Sequence, residues 1–211
     1  MNVAQLLMSA PTSPPPRPMP RSKPEVRTWA RAERDAVPAP TLAAAAAAIA
    51  RTIDERFLTT LPAGAVVALF AAMGSELDLR DLDARARARR LVVDYPRVVR
   101  GQRPLHFHRA TLDELTTATF GVAEPAAAAP EVALPAIALA IVPGLTFTPA
   151  GARLGWGAGH YDSTLPAIGG PSLGVTLARL IVDELPESAH DHRVDHVITE
   201  DGVIARPGAP S

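Results

Sequence analysis

The chain predicts an α/β fold, because apolar strand-like runs alternate with helical segments along its length. The clearest run, residues 65–70 (AVVALF), is short, continuous and preceded by Pro62 and Gly64, as expected of a strand buried on both faces of a parallel sheet. Alternation of this kind builds a largely parallel or mixed sheet with helices packed on it. A glycine-rich segment also follows directly on the strand-like run 137–142, and ligands of open α/β sheets lie at the carboxyl ends of the strands.

Residues 1–22 carry Pro11, Pro14, Pro15, Pro16, Pro18 and Pro20, a composition that favours an extended tail over a packed element. The folded unit is expected over residues 23–205 as a single domain, with 206–211 a loose end. Pro24 suits a helix start, so a helix over 24–35 places Arg27, Arg31 and Arg34 on one basic face, a stripe whose ordinary reading is a solvated surface. Lys23 is the only lysine in the chain, all other cationic side chains of the Lys/Arg class being arginine. An alanine run with Ile49, Ile53, Phe57 and Leu58 at helical spacing predicts a long helix over 41–58. A second helix is expected over 78–90, then a strand over 91–93 that stops at Pro96. His106 and His108 flank Phe107 in another strand-like piece. Further strands are expected at 137–142, 173–177 and 194–198.

Composition narrows the function classes. A length of 211 residues with 47% apolar content suits one domain with a substantial core. A net charge of −1 gives no electrostatic argument for nucleic-acid or membrane partners. Cysteine is absent, which excludes disulfides, thiolate zinc sites and cysteine nucleophiles. No stretch approaches the roughly 20 apolar residues of a membrane span, and the N-terminus lacks the basic start of a secretory leader. The expectation is a cytoplasmic monomer.

Chemistry concentrates in residues 142–165, VPGLTFTPAGARLGWGAGHYDSTL. Glycine at every second position from Gly155 to Gly159 weakens helix and strand alike and makes sense where backbone must approach a ligand. Glycine lets successive N–H groups converge on a phosphate, and Arg153 adds a permanently charged planar fork. Asp162 supplies a hard oxygen suited to magnesium. Glu76, in a short turn after the 65–70 strand, reads on its residues alone as an acid at a helix N-terminus, which the macrodipole favours. The segment 190–196 (HDHRVDH) is rich in imidazoles and carboxylates. If 194–198 is a strand, His192, Val194 and His196 share one face and Asp191 and Asp195 the other.

The glycine segment resembles the signature of the 5-formyltetrahydrofolate cyclo-ligase family. It carries Pro143-Gly144, Phe147, Gly151, Arg153-Leu154-Gly155, Gly157, Gly159 and Tyr161-Asp162 in the family's order. Weaker echoes run from Lys23 and Arg27 through Glu76, Pro96 and Gly121 to Glu124-Pro125, Asp191 and Asp195. The pattern departs at Ala158, where glycine is frequent, at His160, where an aromatic is usual, and at Ser163, where arginine is common.

The resemblance implies a three-layer α/β/α architecture similar to the ribose-phosphate isomerase and CoA-transferase group. It implies ATP as co-substrate, with Lys23, Arg27, Arg153, Leu154, Gly155, Gly157, Gly159 and Tyr161 around the nucleotide. Asp162 and Asp191 would hold Mg2+, and Glu76, Trp156, His160 and Tyr161 would contact a reduced folate. The implied reaction closes 5-formyltetrahydrofolate to 5,10-methenyltetrahydrofolate with release of ADP and phosphate. Substrate atoms supply both nucleophiles, so the protein's task is positioning and charge neutralisation. The departures leave a second reading open, a family member that binds nucleotide or folate without turnover.

Overall fold

The computed structural model describes residues 22–118 and 121–205; the expected tail, apart from Ser22, and the expected loose end lie outside them. Helix α1 (Lys23–Asp35) is opened by Ser22, whose backbone N–H donates to Glu25 Oε2 at 3.1 Å, satisfying a donor that the helix itself leaves free. The alanine run forms α2 (Ala39–Arg56), where alanine loses no side-chain entropy. Strand β1 (Val66–Ala68), helix α3 (Arg80–Ala88) and strand β2 (Val92–Arg97) follow.

Strand β2 runs through Pro96 instead of stopping there. Asp94 offers its carbonyl towards β1, accepting from Leu69 N–H, so two residues on the proline nitrogen faces the same side. There β1 has already ended, its last partner being Ala68 opposite Asp94, and no ladder bond is forfeited.

Next come β3 (His106–Arg109), β4 (Thr116–Thr117), β5 (Ala123–Glu124), β6 (Glu131–Val132) and the long β7 (Ile137–Pro143). A two-stranded ribbon, β8 (Thr146–Phe147) with β9 (Arg153–Leu154), leads into the short α4 (His160–Thr164). Strands β10 (Ser172–Val175), β11 (His196–Thr199) and β12 (Gly202–Ala205) end the fold. The main sheet has eight strands in the order β12-β11-β10-β7-β1-β2-β3-β6. The five strands from β11 to β2 are parallel, while β12, β3 and β6 each run antiparallel to their neighbour. The sheet is mixed with a parallel centre, as predicted.

One face carries the larger core, where Ile49 and Ile53 of α2 and Leu82 of α3 meet Val67, Val93, Leu139, Ile141 and Leu173. The other face gathers Phe107, Ile137, Val142, Phe147, Leu165 and Val197 under α4 and the β8–β9 ribbon. Helical layers on both faces give the three-layer α/β/α arrangement, the second layer being the thinner. Strand β11 begins only at His196, so the alternation predicted for 194–198 is lost at its start. Asp195 instead accepts the backbone N–H of Ser172 at 2.9 Å and its hydroxyl at 2.8 Å, and the His196 ring packs against Phe57 with centroids 5.5 Å apart.

Candidate functional site

The carboxyl ends of β1, β2 and β7 open on one side of the sheet, and each sends a connection into the same cleft. The turn after β1 brings Met73 and Glu76, the loop after β2 brings Val98 and Arg103, and the segment after β7 brings residues 153–163. The N-terminus of α1 and residues 188–191 close the remaining side. The cleft has a volume of about 710 Å³, the size of a site for an organic ligand. The thirteen residues that the resemblance assigns to nucleotide, folate or metal all line it: Lys23, Arg27, Glu76, Arg153, Leu154, Gly155, Trp156, Gly157, Gly159, His160, Tyr161, Asp162 and Asp191.

The ribbon that delivers Arg153 is fixed by what glycine omits. Phe147 is fully buried, and side chains at Gly144 and Gly174 would lie 2.5 and 2.3 Å from its ring carbons, closer than any carbon contact allows. Leu154 is buried too, holding β9 to the core while forming the cleft wall. Gly155 and Gly157 have a further use. A Cβ on Gly155 would meet Arg153 Nη1 at 2.6 Å, and one on Gly157, whose φ is +110°, would meet the Arg27 guanidinium carbon at 3.2 Å. Both glycines therefore make room for arginines, and Arg27 donates Nε–H to the Gly155 carbonyl at 2.9 Å.

Two ion pairs stand side by side. Arg153, only 5% exposed at its side chain, donates to Asp162 Oδ1 at 2.7 Å, and its guanidinium lies over the Tyr161 ring at 5.5 Å. Lys23 Nζ lies 2.6 Å from Asp191 Oδ2 and donates to Ser188 Oγ at 2.9 Å. The backbone N–H of His192, next to Asp191, reaches Asp162 Oδ1 at 3.3 Å, so the chain brings the two carboxylates together. Burial pushes the Asp191 carboxyl up, but the Lys23 ammonium, the Ser188 N–H and the Arg153 charge outweigh it and hold the group below its ordinary value. Burial also pushes the Tyr161 hydroxyl well up, Arg153 offsetting only part, and that hydroxyl has no hydrogen-bond partner among the described residues.

The far side of the cleft is organised by Glu76. The carboxylate is buried, accepting Met73 N–H at Oε2 (3.0 Å) and the Trp156 indole N–H at Oε1 (2.8 Å). Trp156 itself is 43% exposed, with the guanidinium carbons of Arg31 and Arg34 at 5.6 and 5.4 Å from its ring. The basic face of α1 is thus divided, Arg31 staying exposed over Trp156 as a solvated stripe would be, while Arg27 reaches the glycine loop and Arg34 is buried. Arg34 is buried and donates to Ser75 Oγ at 3.0 Å. Desolvation, partly offset by Glu76 and Asp35, lowers its pKa.

As a divalent-cation site the donor set fits. Asp162 Oδ2 and Asp191 Oδ1 take no hydrogen bond among the described residues, and both side chains line the cleft. One or two carboxylates with ligand phosphates and water are what magnesium takes. Arg103 and Ser188 also line the cleft but were not legible in the sequence, because their chain positions carry no motif.

A parallel-centred α/β sheet that gathers acids and bases in one cleft at its carboxyl edge has the architecture of an α/β ligand-binding protein. The profile of the 5-formyltetrahydrofolate cyclo-ligase family matches residues 20–200, and the chain belongs to that family. A 5-formyltetrahydrofolate cyclo-ligase of Mycolicibacterium smegmatis is 34% identical over 110 residues, a match covering 48% of this chain and 55% of that one. The chain thus spans about half the length of the curated relative it matches. Among solved structures, the 5,10-methenyltetrahydrofolate synthetase of Aquifex aeolicus superposes with a TM-score of 0.71 at 24% identity, over 90% of this chain and 95% of that one. The corresponding enzyme of Mycoplasma pneumoniae gives 0.69 at 19% identity, over 85% and 99%. At these identities the likeness is one of fold.

Proposed function

We propose that the protein closes 5-formyltetrahydrofolate to 5,10-methenyltetrahydrofolate at the expense of ATP, releasing ADP and phosphate. The observation that carries this reading is the convergence of the family's signature residues, from Lys23 to Asp191, on one cleft at the sheet's carboxyl edge. Lys23, Arg27 and Arg153 bind phosphate oxygens, Arg153 through the fork that its pairing with Asp162 orients. Asp162 and Asp191 hold Mg2+, which when bound neutralises phosphate charge. Glu76 accepts the ring N–H groups of the folate, and His160, Tyr161 and Trp156 line that side.

In the reaction the formyl oxygen attacks the γ-phosphorus and the bond to the β-phosphate oxygen breaks, releasing ADP. N10 of the same folate then attacks the formyl carbon, losing its proton, and phosphate departs. The protein contributes alignment and charge, since both nucleophiles belong to the substrate. The ultraviolet absorbance of the methenyl product should grow when wild-type protein meets both substrates and magnesium, and Asp162→Ala should abolish it. No product at saturating substrates refutes turnover. Calorimetric ATP binding that persists without ADP release would then support the non-turnover reading.

A further inference from the structure

The cleft's cations are not equivalent. Lys23 is neutralised by Asp191, Arg153 by Asp162, and Arg27 is engaged by the Gly155 carbonyl. Arg103 also lines the cleft, but its side chain is exposed and takes no hydrogen bond or ion pair among the described residues. Its backbone, by contrast, is gripped. The His160 ring donates Nδ1–H to the Arg103 carbonyl at 2.8 Å, and Thr164 Oγ1 accepts Leu105 N–H at 2.8 Å.

His160 and Thr164 stand one turn apart on α4, so one helix face holds the chain at Arg103 and again two residues later. Thr164 is fully buried and donates its hydroxyl to the His160 carbonyl at 2.7 Å, which ties the two anchors together. The loop is braced from behind as well, His106 contacting Gln102 Oε1 at 2.7 Å and Glu131 Oε1 at 2.6 Å. A loop clamped at three points, presenting an unpaired guanidinium to a cleft, is organised for an oxyanion that arrives with the ligand.

We propose that Arg103 is an anion-binding residue of the cleft and that His160 and Thr164 are the positioning residues that hold it there. The inference rests on the reading of the cleft as a nucleotide and folate site. The group bound is a phosphate or carboxylate, and Ser163, on the same helix face as His160, brings no charge to compete for it. Arg103 thereby adds a fourth cation to a cleft lined by Lys23, Arg27 and Arg153.

Steady-state kinetics of Arg103→Ala test the assignment, because the residue is exposed and its loss leaves the backbone anchors intact. Truncation of a charge-assisted contact should raise one KM roughly tenfold or more with kcat within about twofold. Arg103→Lys should fall between, keeping the charge but losing the fork. A rise in KM for ATP assigns the phosphate, a rise in KM for the folate its carboxylate. Thr164→Val, which removes the hydroxyl that accepts Leu105 N–H and lies outside the cleft lining, should raise the same KM by a smaller factor and add nothing to Arg103→Ala in the double variant. Both KM values within twofold of wild type in Arg103→Ala overturn the proposal, and multiplicative effects in the double variant overturn the positioning role. A wild-type chain that turns over while Arg103→Ala is silent refutes this inference alone. A wild-type chain that binds neither ligand by calorimetry refutes the cyclo-ligase reading with it.

Discussion

Trp156→Phe removes one hydrogen bond to Glu76 and weakens the ring face beside Arg31 and Arg34. The lost contact is the indole N–H to Glu76 Oε1 at 2.8 Å, a bond to a buried carboxylate, for which about 1.5–3 kcal/mol is usual. Trp156 is 43% exposed, so water can reach the freed oxygen and the cost drops to or just below that range, about 1–1.5 kcal/mol. Phenylalanine keeps a ring beside Arg31 and Arg34 but with a weaker face, costing about 0.5 kcal/mol more. A domain of this size loses about 2–4 °C of Tm per kcal/mol, so the ligand-free variant should melt some 3–8 °C below wild type. Met73 N–H already occupies the other oxygen, so a folate presenting two N–H groups to Glu76 must displace the indole. At saturating 5-formyltetrahydrofolate the Tm gap should therefore narrow, and KM for the folate should not rise. Equal destabilisation with and without folate, measured by differential scanning fluorimetry, would refute the reasoning.

Two further outcomes concern the scaffold. Asp94 is fully buried with neither oxygen hydrogen-bonded among the described residues, Arg109 standing at 3.7 Å. Desolvation raises its pKa despite Arg109, Arg87 and His108. A raised carboxyl favours the fold fully below its unfolded value of about 3.9, and that contribution is lost as pH climbs through the folded value. Asp94→Asn should thus raise Tm at neutral pH and lose the advantage in acid, and a pH-independent difference would contradict this. Gly174→Ala would set a Cβ 2.3 Å from Phe147 Cε1, an overpacking worth about 1–3 kcal/mol. Its Tm should fall by several degrees and recover when Phe147→Leu is added, as thermal melts of both variants would show.

Much of this protein was legible without coordinates because its signals are local. The Ala65–Phe70 run, the alanine helix and the strand before Val142 announce themselves by periodicity and length, and they yield the α/β class. The glycine segment announced a ligand loop by the same logic, since Gly155 and Gly157 suit no regular element. Their reason for being glycine was not legible, because it lies in Arg153 and Arg27, the latter 128 residues from Gly155 in sequence. The arginine stripe of α1 reads on its spacing as a solvated face, and only the tertiary contact with Trp156 shows that Arg34 is buried while Arg31 stays exposed.

Sequence alone determined the types of the three long helices and the central strands, the absence of thiol chemistry and the family resemblance, since these depend on residue identity and short spacing. The short pieces β4 to β6, the β8–β9 ribbon, α4 and β12 carry too few residues for a periodic signal. Tertiary structure decided which charges meet. Lys23 finds Asp191 and Glu76 finds Trp156 across separations of 168 and 80 residues, through the parallel order of β1, β2 and β7 that aligns their carboxyl ends. Pairing of that kind is set by sheet topology, and no local pattern encodes it. Arg103 is the sharpest case, an exposed loop arginine with no motif, made conspicuous only by the helix face that holds its backbone.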